Sequence, residues 1–177
     1  MQILQTMFEG VNILQPDITT DERGHYFEAY NQNLLPDYYW VVANQMFAKR
    51  NTICGLHYQK GDFAQAKLVR VIHGLVNNVV VDLRAFSDTY GKALSVVLSG
   101  ENNHQLIIPR GFAHGFGVLS QAATIVTNCD NQNIPAKERG LLYNDPELKI
   151  DWKIPFGTEI VSAKDLELPT LENIYCK

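Results

Sequence analysis

Several things are scarce in this sequence, and each shortage removes a class of protein. No stretch approaches 18 consecutive apolar residues, so nothing reads as a membrane-spanning helix. Cysteine is rare: Cys54, Cys129 and Cys176 are odd in number and far apart, which fits neither a C-x-x-C metal site nor a secreted disulfide framework. Free thiols in a reducing cytoplasm are the expectation. A basic excess is missing too: 15 Lys and Arg against 19 Asp and Glu give a net charge of -4, which gives no reason to expect nucleic acid or an anionic membrane as partner. Any anionic substrate must then be held by a local cluster of Lys and Arg. The opening residues, MQILQTMFEG, show no basic segment followed by an apolar run, which again points to a cytoplasmic protein. Low-complexity segments, repeats and long linkers are lacking, so residues 1–177 read as one domain.

What is present is mostly strand. From Lys67 onward, short runs rich in β-branched residues alternate with turn residues: KLVRVIH (67–73), LVNNVVVDL (75–83), ALSVVL (93–98), QLIIP (105–109), HGFGVL (114–119) and TIVTNC (124–129). In KLVRVIH, Leu68, Arg70 and Ile72 alternate with Lys67, Val69, Val71 and His73, so both faces are partly apolar. Short strands at such spacing, separated by turn signals, predict an all-β sandwich of the jelly-roll, or cupin, type. Helix is expected only in brief pieces, NQNLLPDY (31–38) and SAKDLEL (162–168).

Three segments look unlike ordinary strand or turn. DERGHYFEAY (21–30) runs from a charged turn into an aromatic cluster. CGLHYQKGDFAQAKLVRV (54–71) sets His57 and Lys67 on either side of a glycine-bearing loop. IPRGFAHGFGVL places His114 amid Gly, Phe and Ala. Taken singly, each has an ordinary structural reading: a core histidine, core aromatics, a solvated basic face. Two histidines, a lysine and several arginines together in segments of this composition are less ordinary. A cupin-type metal centre wants an H-x-H pair, a carboxylate and a third histidine. His57-Tyr58-Gln59 lacks the second histidine, and His114 does not make up the number; His25, His73 and His104 have no partner at useful spacing. No metal is expected.

RGHYFE, GLHYQ, QAKLVRV, VVVDLR, SDTYGK, QLIIPRGFAHGF, NDPELKIDW and SAKD resemble, in order and spacing, the dTDP-4-dehydrorhamnose 3,5-epimerase family of deoxysugar biosynthesis, from about residue 21 to 169. The resemblance implies a jelly-roll homodimer without metal or organic cofactor, acting on a dTDP-linked 6-deoxy-4-keto-hexose. It implies His57 as base, neutral at pH 7 by its ordinary pKa of about 6.5. Asp165 would orient His57, and Lys67 would stabilise the enolate. Arg23, Tyr26, Phe27, Glu28, Asn44, Gln59 and His114 would bind the nucleotide and sugar.

Departures from the family pattern fall on the same pocket. Cys54 stands where the family has an arginine before GLH. Thr127, in TNC, stands where it has the tyrosine that serves as acid on the opposite face, and Asn133 replaces a second tyrosine. Val42, Met46 and Ala48 replace a glutamine and two serines. The base side is therefore complete and the acid side is not. Tyr26, Tyr58 and Tyr143 are substitute acids only if the fold brings one opposite His57. Three readings stay open: an epimerase acting at one or two carbons, a 3,4-ketoisomerase of the same substrate class, and an inactive nucleotide-sugar-binding homologue.

Overall fold

The computed structural model describes residues 1–174, and Cys176 lies outside the described residues. Cys54 and Cys129 are free thiols, the first half-buried and the second buried. The strands are β1 (Gln2–Gln5), β2 (Asn12–Gln15), β3 (Thr19–Asp21), β4 (Gly24–Tyr26), β5 (Val42–Lys49), β6 (Thr52–Gln59), β7 (Lys67–His73), β8 (Leu75–Asp82), β9 (Ala93–Ser99), β10 (Gln105–Ile108), β11 (Phe112–Val118), β12 (Ala122–Cys129), β13 (Glu138–Gly140) and β14 (Ile160–Val161). A one-turn helix, α1 (Ala163–Leu166), follows. Two sheets face each other. Sheet one has the order β1-β2-β10-β7-β12-β5; sheet two has β13-β6-β11-β8-β9, with β14 parallel to β6. This is the cupin-type sandwich that the strand pattern predicts.

Apolar runs on β8 and β11 follow from burial on both faces. Val76, Val80, Phe112, Phe116 and Val118 join Val69, Val71 and Ile125 of sheet one in the core between the sheets. Val79, Val81 and Ala113 point the other way and are covered by Leu141, Leu148 and Trp152 of the C-terminal segment. A third cluster (Leu14, Leu35, Leu68 and Ile107, with Tyr38 and Trp40) covers the outer face of sheet one.

Every strand expected from residue 67 onward is present, with β11 starting two residues earlier than predicted, at Phe112. The helix expected over 31–38 is absent. That segment is a chain of turns closed by Leu34 N–H to Asn31 O, Leu35 N–H to Gln32 O and Tyr38 N–H to Leu35 O. Pro36 inside it cannot donate to a helical ladder. SAKDLEL does contain a helix, α1, with Ser162 as its N-cap. β1, β2, β5 and β6 escape sequence patterning because β1 and most of β5 are exposed, and β6 is interrupted by a bulge.

That bulge positions the chemistry. β11 pairs with β6 as His114↔His57 and Phe116↔Cys54, so three residues on β6 are matched by two on β11. In a regular strand, residues three apart face opposite sides. The extra residue turns Cys54 and His57 onto one wall of the same cavity. Gly55 makes this possible: its φ is +109°, and a Cβ there would lie 2.7 Å from the Gly115 Cα.

Candidate active site

Between the sheets, one end of the sandwich opens into a cavity of about 240 Å³. β6, β11 and β13 supply Cys54, His57, Gln59, His114 and Glu138; β5, β7 and β12 supply Asn44, Met46, Lys67, Thr127 and Cys129 from across the gap. Whole-ligand pockets usually measure ~300–1,000 Å³. This cavity matches a sugar ring better than a complete nucleotide sugar.

His57 is held by Asp165. Its Nε2 lies 2.7 Å from Asp165 Oδ1, while the Gly55 N–H donates to Oδ2 at 3.0 Å. Asp165 sits in α1, where its own N–H donates to Ser162 Oγ at 3.1 Å, so the SAKD segment aims a buried carboxylate at the ring. Burial alone would raise the Asp165 pKa, but hydrogen bonds from His57 and Gly55 hold it below the ordinary value. Burial likewise disfavours charge on His57; Asp165, and secondarily Cys54, outweigh that and push the ring up to about 9. The ring thus binds a proton more tightly than an ordinary imidazole does, and it is a stronger base once deprotonated.

Lys67 enters at the start of β7 and places Nζ 3.4 Å from the His57 carbonyl oxygen. Burial lowers its pKa, against the anionic pull of Cys129, Glu138 and Cys54. His114 is buried, with Nε2 3.1 Å from Asn78 Oδ1. Burial, then the charges of Lys67 and His57, hold its pKa well below 6.5, so it is a neutral hydrogen-bonding group. Asn78 is a residue that sequence reading missed; its only signal is a pair of asparagines, Asn77 and Asn78, inside an apolar strand. Gln59 donates through Nε2 to Asn133 Oδ1, which brings those two positions together.

Among the described residues, the opposite wall carries no phenol. Thr127 and Asn44 are register partners on β12 and β5, and with Met46, Ile125 and Cys129 they line that side. Of the tyrosines considered as substitutes, Tyr58 lies on β6 beside His57 itself, Tyr143 packs in the cluster behind sheet two, and Tyr26 is 75 % exposed. Val42 and Ala48 share the inward register of Asn44 and Met46, and Ala48 belongs to the inter-sheet core.

Arg23, Tyr26, Phe27 and Glu28 are not brought to this cavity. They belong to the β3–β4 hairpin and the turn after it, which pair only with each other. Arg23 is bound to Asp21, and Glu28 accepts from Asn31 Nδ2 at 2.9 Å. Phe27 lies 5.0 Å beneath the Arg70 guanidinium, and Gln105 Nε2 donates to Ala29 O at 2.7 Å. Arg70 alternates with the inward-facing Lys67, Val69 and Val71, so the hairpin is anchored on the outer face of sheet one.

A family model described as dTDP-4-dehydrorhamnose 3,5-epimerase matches residues 5–173. This chain belongs to that family. The dTDP-4-dehydrorhamnose 3,5-epimerase of Escherichia coli K12 is 40% identical over 179 residues, covering 98% of this chain and 96% of the relative. A crystal structure of the epimerase from Elizabethkingia anophelis NUHP1 superimposes with a TM-score of 0.93 at 40% identity, covering 98% and 97% of the two chains. The dTDP-6-deoxy-D-glucose-3,5-epimerase of Legionella pneumophila Philadelphia 1, solved with dTDP-4-keto-L-rhamnose, superimposes with a TM-score of 0.91 at 38% identity, covering 98% and 94%. The chain is thus an isomerase-class member of the 3,5-epimerase family with Thr127 in the cavity lining.

Proposed function

We propose that this protein removes a proton next to the C4 ketone of a dTDP-linked 4-keto-6-deoxyhexose, with His57 as base. The observation that carries this reading is the His57–Asp165 pair, 2.7 Å apart, opening onto a cavity that also holds the Lys67 ammonium. A C4 carbonyl acidifies the hydrogens at C3 and C5, because the carbanion delocalises onto oxygen as an enolate. Asp165 stabilises the imidazolium formed on proton removal, and Lys67 places positive charge where the enolate oxygen develops.

Inversion needs a proton from the other face. Thr127 has an aliphatic hydroxyl, far less acidic than a phenol of pKa about 10, so it relays a proton only through water. Removal and return on the His57 face exchange the hydrogen with solvent without inverting carbon. Exchange therefore outpaces epimer formation here, and inversion is confined to one carbon or is slow. The nucleotide needs surface that one cavity does not supply. A homodimer in which the exposed β3–β4 hairpin reaches the other chain's cavity gives Arg23, Tyr26, Phe27 and Glu28 a role there; one chain is one such domain, and it works in the cytoplasm.

Incubation with dTDP-4-keto-6-deoxyglucose in D2O, followed by proton NMR, tests the reading. Loss of the C3 or C5 hydrogen signal is expected, and His57→Asn should abolish it. No deuterium at either carbon would refute it.

A further inference from the structure

Three donor atoms of different chemical type meet beside the cavity, whose wall Cys54 and His57 line. The Sγ of Cys54, a ring nitrogen of His57 and a carboxylate oxygen of Asp165 all lie within 4.8 Å of one another. Proton transfer uses His57 and Asp165 directly, and the thiol only adds to the proton affinity of the ring. The bulge on β6 brings the thiol there, by turning Cys54 and His57 onto the same wall.

We propose that Cys54, His57 and Asp165 form a site for a borderline-soft divalent cation, with Zn2+ the expected ion. Zinc takes thiolate sulfur at about 2.3 Å, imidazole nitrogen at about 2.0–2.1 Å and carboxylate oxygen at about 2.0–2.2 Å. Tetrahedral angles then separate the ligand atoms by roughly 3.3–3.6 Å. The His57–Asp165 contact at 2.7 Å must open slightly, and the thiol must close by little more than an ångström. A thiolate and a carboxylate together balance the two charges of the ion, with the imidazole neutral, and sulfur selects zinc over magnesium or calcium. The Gly55 N–H on the other Asp165 oxygen, at 3.0 Å, holds the carboxylate in place as an outer hydrogen-bond partner of a metal ligand does. The fourth position is left for water.

Among the described residues, two lysines stand near. Lys164 is paired with Glu138. Lys67 interacts with Cys54 across the cavity and works against the ion. The two anionic ligands outweigh that single ammonium. Because the ring that would bind zinc is the ring that accepts the substrate proton, the loaded protein cannot catalyse exchange. That consequence rests on the epimerase reading; the binding site does not.

Co2+ titration of the full-length protein, without substrate, tests the site directly. A near-ultraviolet thiolate-to-cobalt absorption saturating at one equivalent per chain is expected, and Zn2+ should displace it. Cys54→Ser should remove the band, while Cys129→Ser should keep it. No band, or a band that survives Cys54→Ser, overturns the proposal. A second measurement needs no variant: Zn2+ should slow iodoacetamide labelling of Cys54, mapped by mass spectrometry, at least tenfold, and an unchanged rate overturns it as well. Zn2+ should then stop deuterium exchange and a chelator restore it; persistence of exchange in the metal-saturated protein overturns the overlap of the two sites. Absence of exchange in metal-free protein is a failure of the epimerase reading alone and leaves the cobalt result standing.

Discussion

Replacing Asp165 by Asn keeps the volume of the side chain and removes only its charge and one acceptor. The carboxylate currently uses one oxygen on His57 Nε2, at 2.7 Å, and the other on the Gly55 N–H, at 3.0 Å. An amide cannot do both. With its oxygen toward Gly55, its NH2 faces His57 and forces Nε2 to accept, so the ring carries its proton on Nδ1 and cannot act there as base. With its oxygen toward His57, NH2 opposes the Gly55 N–H and the bulge loses its acceptor. Loss of one charge-assisted hydrogen bond is worth about 1.5–3 kcal/mol, or roughly one to two decades in rate. The wrong tautomer adds to this, so a total loss of about 10²–10⁴ in the deuterium-exchange rate is expected. The assay is the initial rate of C3 and C5 deuterium incorporation at saturating nucleotide sugar, with calorimetric binding of dTDP alongside. Affinity for dTDP should stay within a few-fold, since Asp165 is buried behind His57 and does not line the cavity. An exchange rate within about threefold of the parent would refute the dyad reasoning.

Thr127→Tyr should restore an acid on the wall facing His57 and raise the ratio of epimer formed to deuterium exchanged by at least about tenfold; an unchanged ratio would mean that the missing phenol is not what limits inversion. Arg23→Ala should raise KM for the nucleotide sugar roughly tenfold with kcat little changed, the mark of lost uniform binding, and an unaltered KM would remove the hairpin from the binding site. Asp82 is fully buried and accepts from Arg84, Ser87 and Thr89 at 2.8, 2.7 and 2.6 Å; burial raises its pKa, and these bonds more than reverse that and hold it below the ordinary value. Its contribution to stability is therefore full above the unfolded carboxylate pKa of about 3.9 and is lost as pH falls below it. Urea midpoints from pH 7 to pH 3 should fall less steeply in Asp82→Asn, which should itself cost about 2–4 kcal/mol at pH 7; parallel pH profiles would contradict this.

Much of the fold was legible because sheet two is covered on both faces. Val79–Val81 and β11 read as strand from composition alone, since alternate side chains enter two different cores. β5 was not legible, because most of it is exposed at one edge and its inward set, Val42, Asn44, Met46 and Ala48, is of mixed polarity. The base side of the cavity came from resemblance, and the structure assembles those residues. The proximity of Cys54 to His57 could not be read, because a spacing of three places residues on opposite faces unless a bulge intervenes. Nor could the position of Arg23, Tyr26, Phe27 and Glu28: their motif is legible, but where a two-stranded hairpin comes to rest depends on anchors such as Phe27 under Arg70, which periodicity does not encode. The ring's raised proton affinity follows from Asp165, 108 residues away.

That separation bears on the order in which the molecule becomes competent. During synthesis the strands through β12 can pair before residue 165 leaves the ribosome, so a sandwich can exist before Asp165 reaches His57. The same holds in reverse. α1 is a single turn whose Lys164 and Leu166 are exposed, and little apolar surface holds it down. Such a segment opens at lower free energy than the sheets do. Each opening parts Asp165 from His57 while leaving the sandwich folded, so with His57 as the proposed base, turnover should fade on warming before the β-structure melts.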